Sequence, residues 1–118
     1  MNRRIRRVNE LLRQEMSRVI QVDLRDPRLR SVISITRVDT SPDLKTARVY
    51  FSVLASLEKR EEVLQGLTAA AGYIRRELGD VLPLRYIPSL TFLPDDSLQL
   101  SEAISRAMNQ TKAGGEAD

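Results

Sequence analysis

The chain has 118 residues, 42% of them hydrophobic and 30% charged, a length and balance that suit one domain with its own core and are too mixed for a disordered chain. No apolar run approaches the ~20 residues that cross a bilayer, and the arginine-rich start lacks the apolar stretch of a secretory leader, so a cytoplasmic protein that engages no membrane is expected. Cysteine and histidine are both absent, which removes disulfides, thiolate chemistry and the commonest acid–base and zinc-ligating side chain.

The formal net charge is only +3, yet residues 1–30 hold nine arginines against four acids while the rest of the chain is slightly acidic. Such a cluster of permanently charged guanidinium groups suits a polyanion, with RNA, DNA and an acidic membrane surface all open on charge alone.

In chain order, Ile5, Val8, Leu12, Met16 and Val19 recur at spacings of three and four and predict an amphipathic helix over 3–20, with Asn2 as its N-cap. Arg3, Arg7, Gln14 and Arg18 fall opposite that stripe, with Arg6 and Arg13 on its flank, giving one core face and one basic face. Asp23 to Arg30 breaks the period at Pro27 and reads as a connector carrying Arg25, Arg28 and Arg30. Residues 32–39 and 46–54 predict two strands, the second alternating Ala47, Val49, Phe51 and Val53 inward, and Thr40 to Asp43 supplies the turn of a hairpin.

The helical period returns from Leu57 through Val63, Leu67, Ala70, Ile74 and Leu78. Small residues around Gly72 predict a kink or break there, where a β-branched replacement should cost stability, and Gly79 with Pro83 close behind predicts the stop. Ile87 to Pro94 predicts a third strand with prolines near its ends, suited to a sheet edge. Asp95, Asp96 and Ser97 are cap candidates for a short last helix bearing Leu100, Ile104 and Met108. The order helix, strand, strand, helix, kink, helix, strand predicts an α+β fold with a three-stranded sheet and helices on one face. One domain over 1–110 is expected, with a disordered tail over 111–118.

Catalytic templates are missing: there is no phosphate-binding glycine loop, no dinucleotide fingerprint and no zinc-protease motif. The acidic neighbours Glu61/Glu62 and Asp95/Asp96 read as a solvated face and a helix start. Five aromatics are available, Tyr50, Phe51, Tyr73, Tyr86 and Phe92, and Phe51 and Phe92 alternate inward, so a base-stacking sheet platform is not expected. Recognition by phosphate contact and shape is expected instead.

KH domains join two helices by a GxxG loop that clamps the nucleic-acid backbone; here Ala70, Ala71 and Gly72 form an AxG in its place. Together with "RRVNELLRQEMSRVI", "DPRL", "ITRVDTSPDLKTARVYFSVL", "AAAGYIRRELG" and "LRYIPSLTFLPDDS", in that order, this resembles the ribosome-binding factor A family over about residues 3–108. The resemblance implies a single type II KH-like domain, binding to the immature small (30S) ribosomal subunit and its 16S rRNA, help in maturing that rRNA, and a need sharpened in the cold. On this reading RNA contact is expected at Arg3, Arg4, Arg7, Arg18, Arg28, Arg30, Lys45, Arg75, Arg76 and Arg85, around the structural junction Ala70, Ala71 and Gly72. No catalytic or metal-binding residue, cofactor or small-molecule substrate is expected, and the chain is expected to act as a monomer. A DNA-binding or protein-docking module built on the basic first helix remains the alternative.

Overall fold

The computed structural model describes residues 2–54, 56–95 and 107–108. Its elements are α1 (Arg3–Val22), a 3-10 turn (Pro27–Leu29), β1 (Ile33–Thr40), β2 (Thr46–Val53), α2 (Leu57–Val81) and β3 (Ser89–Pro94). The three strands form one sheet in the order β1-β2-β3. β1 and β2 are an antiparallel hairpin, whereas β3 lies parallel to β2. A parallel neighbour needs a crossover, and α2 supplies it. β3 is therefore an edge strand, which accommodates its terminal Pro94.

The hairpin obeys its alternation: Ala47, Val49, Phe51 and Val53 are buried together with Ile33, Ile35 and Val38 of β1 and Phe92 of β3. α1 lays Val8, Leu12, Met16, Val19 and Ile20 into the same core, and α2 adds Val63, Leu67, Ile74 and Leu78. Both helices thus cover one face of the sheet, giving the expected α+β architecture. Full burial of side chains such as Phe51, Leu12, Leu67 and Leu78 contributes roughly 1.5–3 kcal/mol each. Asn9 stitches helix to sheet, its Oδ1 accepting from the Thr40 N–H at 3.0 Å.

β1 departs from strict alternation. Ile35 pairs with Phe51 and Arg37 with Tyr50, so Thr36 is an extra residue in a bulge, and both Thr36 and Arg37 face solvent. The bulge restores Val38 and Thr40 to the core side.

The expected break at Gly72 is not there. α2 runs unbroken for 25 residues from Leu57 to Val81, and Ala70, Ala71 and Gly72 lie inside it rather than between two helices. Glycine costs a helix about 1 kcal/mol, and four fully buried apolar residues, two on each side of Gly72, outweigh that. The stop at Gly79 also moves. The helix continues to Val81, and Leu82 is the extended cap at φ −87°, ψ 140°, because the ring of Pro83 bars the residue before it from helical geometry. Gly72 is exposed and a Cβ there would meet nothing within 4 Å, so the expected penalty for a bulkier residue loses its basis. The glycine that packing demands is Gly66, where a Cβ would lie 2.9 Å from Leu29 Cδ2 and 3.3 Å from Arg28 Cβ. The 3-10 turn sits directly on α2 at that point. Of the expected last helix, Ala107 and Met108 are helical and exposed, while Asp96, Ser97, Leu100, Ile104 and the tail over 111–118 lie outside the described residues.

Candidate nucleic-acid interface

α1 is the most basic element, and its charge is unevenly committed. Asn2 caps it, with Oδ1 accepting from the Ile5 N–H at 2.8 Å, and no acid occupies the first turn. Arg3, Arg4, Arg6 and Arg7 are all exposed there. None of their guanidinium groups has a hydrogen-bond or ion-pair partner among the described residues. Farther along, Arg13 is held by Glu10 and Arg18 by Glu15, the latter at 2.6 Å. Arg13 and Gln14 hold the Glu10 carboxyl below its ordinary range. These exposed pairs add little stability, but they neutralise the C-terminal half of the basic face. What survives is a cationic cluster at the helix start.

That position is electrostatically poor for the fold. A helix N-terminus carries a partial positive charge, and each cation placed there costs roughly 0.3–1 kcal/mol at low ionic strength. The cluster weakens its own helix and is relieved by an anion.

The other expected contacts divide by place. Arg85 joins Arg4 around a cavity of about 280 Å³, where the start of α1, the β1–β2 turn and the α2–β3 loop meet. Lys45 belongs to that turn and its carbonyl accepts from the Ser89 N–H at 2.9 Å. Arg3, Arg4, Arg7, Lys45 and Arg85 are thus carried by the segments that meet at one pole. Arg30 lines a larger cavity of about 520 Å³ beyond the far end of α1, beside Arg25 and Asp26, and ~30 Å of helix separates the two poles. Arg28 is bound there by Asp26 at 2.6 Å; that guanidinium and the Arg28 N–H hold the Asp26 carboxyl below its ordinary range.

Arg75 and Arg76 are exposed on α2 along the face of Gly72 and Gly79. Arg75 donates from Nη2 to the carbonyl of Ile87 at 2.9 Å, so it braces the loop that carries Arg85 and Tyr86. The Arg76 guanidinium makes no hydrogen bond or ion pair among the described residues.

The uncovered sheet face carries Arg37 stacked on Tyr50, 4.2 Å above the ring centre, and Arg48 within 3.5 Å of Asp39. Phe51 and Phe92 are buried as expected. Tyr86, one of the five aromatics but given no site role by the sequence, is 71% exposed; its place beside Arg85 in a segment flanked by Pro83 and Pro88 was the available signal. Among the described residues no group of His, Cys, Asp or Glu could hold a metal ion, and no helix is long and apolar enough to cross a membrane.

Comparison with known proteins places this geometry. The model of a family described as ribosome-binding factor A matches residues 4–108. Ribosome-binding factor A of Acetivibrio thermocellus is 44% identical over 110 residues, covering 93% of this chain and 89% of that one. The crystal structure of ribosome-binding factor A from Thermus thermophilus superposes with a TM-score of 0.68 at 27% identity, over 76% of this chain and 93% of that one. A Thermus thermophilus ribosome-binding factor A fitted into the cryo-EM map of its 30S complex gives 0.61 at 27% identity, over 75% of this chain and 91% of that one. A family match that spans nearly all the described residues, on the same α+β layer, means that the chain belongs to the ribosome-binding factor A family.

Proposed function

We propose that this chain binds the RNA of free or immature small ribosomal subunits and assists their late assembly and the maturation of 16S rRNA, in the cytoplasm and including growth in the cold. The observation that carries the proposal is the set of unpaired arginines, Arg3, Arg4, Arg6 and Arg7, at the positive end of α1. They destabilise the fold where they stand and acquire partners only when an anion arrives. Family membership supports the small subunit as the source of that anion. The chain acts by binding and not by catalysis: with neither histidine nor cysteine, it offers RNA a rigid cationic pole and favours the arrangement of RNA that fits it. We read residues 1–110 as one functional unit acting as a monomer. A major-groove reader is disfavoured because α1 spends its apolar face on the core, leaving none for a dimer.

Sedimentation of a cell extract on a sucrose gradient tests the reading. The protein should travel with free small subunits, and migration with translating ribosomes instead would overturn it. Binding of purified protein to immature subunits should weaken steeply with salt. An Arg3→Ala, Arg4→Ala, Arg7→Ala variant should reduce the log–log salt slope by roughly 2 to 3, since each phosphate contact contributes a little under one. An unchanged slope would remove α1 from the interface.

A further inference from the structure

The pole where α1 begins holds more than charge. Its cavity of about 280 Å³ is lined by Val8, Leu44, Leu84, Tyr86 and Pro88, with Arg4, Arg85 and Asp43 at polar positions. Ligand pockets for whole small molecules start near 300 Å³, so this one suits a single flat ring system. Tyr86 presents most of its ring to water, and the Arg85 guanidinium lies 5.6 Å from the ring centre. An aromatic and a guanidinium together are what stacks an unpaired base and holds its phosphate.

The opposing wall is built at a cost. Leu44 has φ 62°, the one non-glycine residue with positive φ among those described, a left-handed conformation in which the Cβ crowds the following carbonyl oxygen. The turn dictates it. Leu44 N–H donates to the Ser41 carbonyl at 2.9 Å, Ser41 Oγ donates to Asp43 Oδ1 at 2.6 Å, and Lys45 N–H donates to that same oxygen at 3.0 Å. Glycine or asparagine would serve this turn without strain. A leucine kept there places an apolar side chain on the cavity wall, and strain of this kind collects at ligand clamps.

Asp43 completes the chemistry. Its Oδ1 is consumed by the turn, and no partner is present for Oδ2 among the described residues. Those bonds from Ser41 and Lys45 hold the carboxyl below its ordinary range, so at neutral pH it accepts and cannot donate. An exocyclic amino group meets it best; uracil's one donor on that edge, N3–H, lies between two carbonyl oxygens that a carboxylate repels.

Resting on the reading of this chain as an RNA-binding factor, we propose that the cavity between Leu44 and Tyr86 takes one unpaired nucleobase bearing an amino group, with Arg4 and Arg85 on the adjoining phosphates.

The test is an amide NMR titration of the full chain with single-stranded pentaribonucleotides of cytidine and of uridine. The cytidine strand should shift the amides of Leu44, Lys45, Leu84 and Tyr86 and bind roughly fivefold or more tighter than the uridine strand. Tyr86→Ala should weaken cytidine binding by roughly 5- to 100-fold, the range that loss of one stacked base gives, while Tyr86→Phe keeps it. Leu44→Gly should fold normally and still bind more weakly. Shifts confined to the first turns of α1, equal binding of the two strands, or full affinity of Tyr86→Ala would each overturn the pocket. Small-subunit sedimentation separates the two claims: association of the wild-type chain without shifts at the cavity sinks the pocket alone, and cavity shifts without association sink the assembly role alone.

Discussion

Two glycines on one helix make a matched experiment. Gly66 and Gly72 both sit inside α2, so replacing either by alanine gains the same intrinsic helix propensity, about 1 kcal/mol. They differ in what the new methyl meets. At Gly72 there is nothing within 4 Å, whereas at Gly66 it would lie 2.9 Å from Leu29 Cδ2, 3.1 Å from Leu29 Cγ and 3.3 Å from Arg28 Cβ. Leu29 can swing its terminal methyl aside, but its Cγ and the Arg28 Cβ belong to a short turn tied by the Asp26 cap, so the turn itself must lift. Overpacking of that kind costs roughly 1–3 kcal/mol. Gly72→Ala should therefore stabilise the fold by about 1 kcal/mol, and Gly66→Ala should leave it unchanged or destabilise it by up to about 2 kcal/mol. The difference between the two variants isolates the steric cost, because propensity cancels. Thermal unfolding by circular dichroism should separate their midpoints by roughly 4–12 °C for a chain of this size. Equal stabilisation by both alanines would show that the turn yields freely and that the close approach at Gly66 does not constrain the fold.

Arg3→Glu with Arg4→Glu should raise stability by about 0.5–2 kcal/mol at low salt, since acids suit a helix start, while abolishing binding to immature subunits; chemical denaturation beside a binding isotherm reads both. Leu44→Gly should gain about 0.5–1 kcal/mol by removing left-handed strain, less the entropy that glycine adds to the unfolded chain, and a lower urea midpoint would refute the strain. Acid should release Arg28 from Asp26. The depressed Asp26 carboxyl contributes stability that is full above its unfolded pKa and lost as pH falls through its lower folded value. In Asp26→Asn that part of the pH dependence should vanish from thermal midpoints measured between neutral pH and the acid limb.

The α+β layer was legible because its signals are periodic. Ala47 to Val53 alternates without error, and Ile5 to Val19 keeps helical spacing, so both core faces were readable in advance. What escaped depends on contacts between distant segments. Gly72 looked like the functional glycine because small residues surround it, whereas the packing requirement falls on Gly66, which touches a turn nearly forty positions earlier in the chain. The bulge at Thr36 left no local signature, since its cause is the register against β2. Among the cations, sequence could show which lay on the basic face of α1 but not which would be neutralised: Arg18 and Arg28 are held by Glu15 and Asp26. Arg75 went unread as a brace because its acceptor is a backbone carbonyl twelve positions on. Tyr86 and Leu44 come together only through the meeting of two loops.

The parallel pairing of β2 with β3 also bears on how the chain is made. The β1–β2 hairpin can close as soon as it is synthesised, but the far edge of β2 has to wait for Ser89–Pro94, which follow only after the whole of α2. At ~5–20 residues per second that interval lasts on the order of seconds, during which a row of backbone donors and acceptors on an apolar strand stands open. Unpaired edges of this kind recruit strands from neighbouring chains. Arg48, exposed in the middle of β2 and within 3.5 Å of Asp39, is the one charge on that strand, and stacking like charges in register disfavours such pairing between copies.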